Sequence, residues 1–125
     1  MLAQMAPRLD PVRYCFMLIT PDSAGQALGA AIGTFREDEG VTAIVPEPVA
    51  RELGETGPAW ARITLMVHSA LEGVGLTAAV AGVLAENGIA CNLVAAFHHD
   101  HAFVPTEEGG RALKLLEQLS HAARR

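Results

Sequence analysis

The stretch ARITLMVHSALEGVGLTAAVAGVLAENGIACNLVAAFHHDHAFVP, Ala61–Pro105, decides the fold. Its opening, ARITLMV, mixes β-branched and long apolar side chains and reads as a strand. A glycine-bearing loop, His68 to Gly75, follows. Leu76, Val80, Val83 and Leu84 fall on one helical face, which predicts a helix from about Leu76 to Asn87. Gly88 stands where a left-handed residue ends such a helix. Ile89–Phe97 reads as a second strand, His98–His101 as a tight connection, and Ala102–Pro105 as a third strand stopped by Pro105. Thr106 is expected to cap a last helix, with Glu107 and Glu108 favoured at the positive end of its dipole. Ala112, Leu115, Leu116 and Leu119 give that helix an apolar face, and His121–Arg125 a basic end.

The order β-α-β-β-α is a ferredoxin-like unit lacking its last strand. The predicted class is α+β: a ferredoxin-like βαββα(β) antiparallel sheet, helices packed on one face, completed by N-terminal strands. Val12–Thr20 (VRYCFMLIT), long and apolar, is the best candidate for the missing strand. Before it, Leu2–Leu9 reads as a short helical turn. Pro21–Gly25 is turn chemistry. Ala31–Arg36 and Val41–Val45 are apolar stretches flanking Glu37–Gly40, which predicts a hairpin. Glu47–Leu53 reads as a short helix, with Pro48 in its first turn and Gly54 just past its end. Thr56–Pro58 is a linker. The expectation is a single domain over residues 1–125, with a strand and hairpin half at 1–58 and a βαββα core at 59–125. No short-period repeat or low-complexity tract appears.

Half of the 125 residues are hydrophobic and 18% are charged, a balance that excludes intrinsic disorder. A formal charge of −5 argues against nucleic acid as a partner. The longest uncharged apolar run, Gly73–Ala85, falls short of the ~20 residues of a spanning helix, so no membrane association is expected. The start, MLAQMAPRLDP, has no basic segment before an apolar stretch, so no leader and a cytoplasmic location are expected. Cys15 and Cys91 sit in apolar runs and outside any CxxC, which favours buried free thiols over a disulfide or metal pair.

Three phrases narrow the reading: REDEG (Arg36–Gly40), VHSALEGVGLTAA (Val67–Ala79) and HDHAFVP (His99–Pro105). With Leu84, Ala85, Gly88 and Ile89 at the end of the helix and Asn92 in the next strand, the chain resembles small uncharacterised bacterial ACT-like proteins. More distantly it is similar to the ACT modules of aspartate kinases and to CASTOR-type arginine sensors, which have a comparable Asp-His-x-x-Val-Pro hairpin. The resemblance implies a regulatory or sensing module that binds a small metabolite, usually an amino acid, often where two ACT units meet. It implies no catalysis.

Candidate ligand-binding residues follow. The loop and helix start, with His68, Ser69, Ala70, Leu71, Val74, Gly75 and Leu76, offers unpaired backbone N–H groups that suit a carboxylate. An ordinary loop with conformationally placed glycines is the alternative. Asn92 is polar in an apolar strand, and a buried amide needs partners. The aspartate kinase resemblance implies that it helps hold the effector; a backbone-bonded amide is the alternative. His99 and His101 share one side of a strand, and with His68 they raise a metal reading against that of a polar turn. The arginine-sensor resemblance instead points Asp100 at a cationic group. Arg36–Gly40 is either a solvated turn or a carboxylate wall for an ammonium group, with Glu39 foremost. Trp60 is read as packing.

No G-x-S-x-G elbow, Walker A or dinucleotide fingerprint occurs, so no catalytic residue, metal or cofactor is assigned. The expected function is an amino-acid-binding regulatory module. A homodimer would cover the open sheet edge, and any regulated enzyme would be a separate partner. The alternatives are a small metal-dependent enzyme using the histidines and a ligand-free interaction module.

Overall fold

The computed structural model describes residues 4–66 and 74–123. Along the chain run β1 (Arg8–Leu18), α1 (Ala24–Ala30), β2 (Gly33–Glu37), β3 (Gly40–Pro46), α2 (Glu47–Glu52), β4 (Trp60–Leu65), α3 (Val74–Glu86), β5 (Asn92–Ala95), β6 (Asp100–Pro105) and α4 (Gly109–Ala122). The order β-α-β-β-α thus occurs twice. Contacts group into two compact units, one of Val12–Trp60 and one of Met1–Pro11 with Ala61–Arg125. No described helix is long and apolar enough to cross a membrane.

In the C-terminal unit the strands lie in the order β1-β4-β6-β5. This is the predicted ferredoxin-like arrangement, with an N-terminal strand beside the βαββα core. β4 alternates, so Ala61, Ile63 and Leu65 are buried while Arg62 and Thr64 are half-buried on the other face. Ala102 and Val104 of β6 join the buried row. Leu76, Val80 and Leu84 of α3 and Ala112 and Leu116 of α4 close over it, on the faces their spacing predicts. Burying these side chains supplies the main driving force of this half, roughly 1.5–3 kcal/mol for each large one. Gly88 ends α3 at φ +71, as expected.

Several boundaries differ from expectation. The completing strand, β1, contains most of the expected Val12–Thr20 but starts earlier, at Arg8, and ends at Leu18, so Leu9 lies on β1 instead of in a helical turn. Pro7 and Pro11 disfavour a helix there. Met5 is fully buried, and its carbonyl accepts a 2.7 Å hydrogen bond from the Met66 N–H, which holds the segment extended beside β4. β5 covers only Asn92–Ala95, because Ile89 is buried in the core before the strand begins. It pairs antiparallel with β6 from Asn92↔Phe103 to Ala95↔Asp100. Thr106 does not cap α4. A 3-10 turn, Thr106–Glu108, intervenes, Glu108 takes the N-cap position, and no side chain caps it.

In the N-terminal unit the order is β2-β3-β1, antiparallel throughout. The predicted hairpin is present, with Glu37 opposite Gly40 and Asp38–Glu39 at the turn. Gly40 has φ +148, a conformation that strains residues with a Cβ. α2 forms as predicted, and Arg51 and Glu47 pair along it at 2.9 Å. α1 is the element the sequence reading lacked. Ala27 of α1 packs with Cys15, Met17, Ala43, Val45 and Ala50 in a small core of its own. The Trp60 ring meets Phe16 edge to face at 6.0 Å, in line with the packing expectation.

Candidate functional site

Because β4 turns Ala61, Ile63 and Leu65 toward the helices, Arg62 and Thr64 must face the other way. His101 does the same on β6, between buried Asp100 and Ala102. With the start of β1 they line a groove of about 350 Å³, bordered by Arg8, Asp10, Arg62, Thr64, His99 and His101. The Arg62 guanidinium donates from Nη2 and Nε to Asp10 Oδ2, at 2.7 and 3.2 Å. Thr64 Oγ1 and His101 Nδ1 share a hydrogen bond at 3.0 Å. Burial holds the His101 imidazole below its ordinary pKa, helped by the positive charge of Arg62 and by His99, against the opposing charge of Asp100. At neutral pH the ring is therefore uncharged and set in place by Thr64.

A larger hollow of about 610 Å³ opens between Ala6–Arg8 and the last turns of α4, where Ser120 is buried. Arg8 and Met66 border both spaces.

His68, Ser69, Ala70 and Leu71 lie outside the described residues. Val74 opens α3, and Gly75 lies in its first turn, not in a loop. Leu76 is 2% exposed and belongs to the core. Asn92 is exposed, which corrects the expectation of a buried amide. Its neighbour Leu93 packs against the core, so Asn92 faces away, on the outermost strand of the order β1-β4-β6-β5. Asp100 is only 6% exposed, at the start of β6. Glu39 is exposed at the β2–β3 turn, in the N-terminal unit.

His99 and His101 do share the groove, as the alternation suggested. Among the described residues, however, no group of three His, Cys, Asp or Glu side chains could hold a metal ion. Cys15 and Cys91 are free thiols, the first buried and the second half-buried. Burial pushes both thiols above their usual pKa and keeps them protonated.

Asp10, Arg62 and Thr64 were not among the expected site residues. The period-two alternation of ARITLM already set Arg62 and Thr64 on one face. The partner on β1, far away in sequence, was not visible.

The ACT domain family pattern matches the chain twice, over residues 1–62 and 56–118. A Vibrio cholerae protein of unknown function, described as a possible transport protein, is 41% identical. The match covers 92% of this chain and 90% of that one, with a TM-score of 0.81. An Agrobacterium tumefaciens protein is 18% identical over 87% of this chain and 82% of that one, with a TM-score of 0.67. The ligand-free regulatory subunit of aspartate kinase from Thermus thermophilus shares the fold at 16% identity, with a TM-score of 0.65 over 94% and 97% of the two chains. No curated protein matches the chain. The repeated β-α-β-β-α order, the sheet order of the C-terminal unit and the double family match agree: the chain belongs to the ACT domain family.

Proposed function

We propose that this chain is a regulatory module that reversibly binds an amino acid and performs no catalysis of its own. The observation that carries the reading is the ACT family match over both halves of the chain. The fold shared with an aspartate kinase regulatory subunit is consistent with it. In this proposal residues 68–71 and 74–76 receive the carboxylate, and Asp100 and Asn92 orient the ammonium or side-chain group. The hollow beside Met66, the last described residue before 67–73, has a volume suited to such a ligand. The working form would be a cytoplasmic homodimer acting on a separate enzyme, since a ligand that prefers one assembly shifts the population toward it.

The test is thermal unfolding of metal-free protein against the twenty amino acids and divalent metals. A ligand at 100 times its Kd adds about 2.7 kcal/mol of stability. The reading predicts a shift with one or a few amino acids that Asp100→Ala abolishes and Asn92→Ala weakens. A shift with a transition metal alone would replace it with the histidine-based enzyme. No shift across the panel would leave a ligand-free interaction module.

A further inference from the structure

We propose that the groove formed by β1, β4 and β6 is a second binding site, for a small oxyanion, a carboxylate or a phosphate, held by Arg8, Arg62, His99 and His101. Its lining opposes two guanidinium groups, Arg8 and Arg62, to one carboxylate, Asp10. That is a local positive surplus on a chain of net charge −5. The groups are also set in advance. Asp10 takes the Nε–Nη2 edge of Arg62 and so fixes its plane, which presents an oriented positive charge to an oxyanion. Thr64 holds His101 at Nδ1, so Nε2 is the ring nitrogen that can meet a ligand. Arg8 is exposed and has no ion-pair partner among the described residues. The groove volume of about 350 Å³ suits a molecule of a few to a dozen heavy atoms.

The same lining makes binding depend on pH. The charged and titratable groups around His101 are Arg62 from β4 with its partner Asp10 from β1, Arg8, and His99 and Asp100 from its own hairpin. At pH 8 the imidazole is neutral. Acidification adds a positive charge where the anion sits, and the anion in turn favours that charge. Affinity therefore rises as pH falls through the titration of His101 in the complex. The site draws on neither Asn92 nor residues 68–76, and shares with the hollow of the amino-acid reading only Arg8 and Met66.

The experiment titrates the full chain with sulfate and with oxalate, which stay doubly charged over this range and stand in for phosphate and carboxylate, at pH 8.0 and pH 5.5 and constant ionic strength. Binding is followed by thermal shift and by the ring resonances of the histidines in NMR. The expected result is binding at least about fivefold tighter at pH 5.5, with the His99 and His101 rings moving on addition of the anion. Arg8→Gln, at an exposed position, should weaken binding at both pH values. His101→Gln should keep binding and lose most of its pH dependence, and Asn92→Ala should change neither. Sulfate alone or oxalate alone would assign the site to the tetrahedral or the carboxylate class. Unmoved His99 and His101 resonances, or a pH dependence that survives His101→Gln, would overturn the proposal.

Discussion

Arg62 and Asp10 are the most consequential pair at residue scale, because both line the groove and each holds the other. Their side chains are 24% and 15% exposed, so water screens the pair only in part. A double-mutant cycle with Arg62→Gln and Asp10→Asn should give a coupling of about 1 kcal/mol in urea unfolding, the upper end for partly exposed pairs. Additive single mutants would show that the two side chains contribute independently. His101 contributes to the acid side of the stability profile. Its folded pKa lies below its unfolded value, so the unfolded chain takes up the proton first as pH falls. Stability should decline as pH drops through the ordinary histidine range, about 6.5, and level off below the folded value. His101→Gln should flatten the melting-temperature profile between pH 7.5 and 5. Much of this site was only half legible. Arg62 and Thr64 could be placed on one face from the pattern of β4, but Asp10 is separated from Arg62 by 52 residues. Asn92 misled because a polar residue in an apolar run looks buried, and one strand's sequence does not say that it is outermost.

Among elements, α3 most clearly follows its own spacing. Leu84 is fully buried between the sheet and α4, and Leu84→Ala should cost about 2–5 kcal/mol in equilibrium unfolding. A cost below 1 kcal/mol would mean that the neighbours collapse into the space. Gly88 has φ +71 and open space where a Cβ would lie. Gly88→Ala should therefore cost only its backbone strain, about 1–2 kcal/mol, with α3 itself unchanged by circular dichroism. The elements that spacing did not predict share one cause, a weak local signal. α1 holds Gly25 and Gly29, poor helix formers, and has a single buried residue, Ala27. The early start of β1, at Arg8–Pro11, was hidden because Leu2, Met5 and Leu9 recur at helical spacing, while prolines and backbone pairing decide the outcome. The repeat of β-α-β-β-α is one of element order, and the two halves need not share side chains to show it.

For the molecule as a whole, the order of burial along the chain matters more than its composition. Met5 is sealed in the core of the C-terminal unit, Leu9 packs against that core, and the Met5 carbonyl is bonded to the Met66 N–H. Yet residues 12–60 lie between these partners in sequence. A cut at the midpoint would thus remove from residues 61–125 a strand that their own sequence cannot replace. That tail should behave as an incomplete protein, poorly protected from protease. A synthetic peptide of residues 1–11 should restore it by fragment complementation, with Met5→Asp abolishing rescue. During synthesis the segment around Met5 would leave the ribosome well ahead of the half it completes, and be held in reserve until α4 follows.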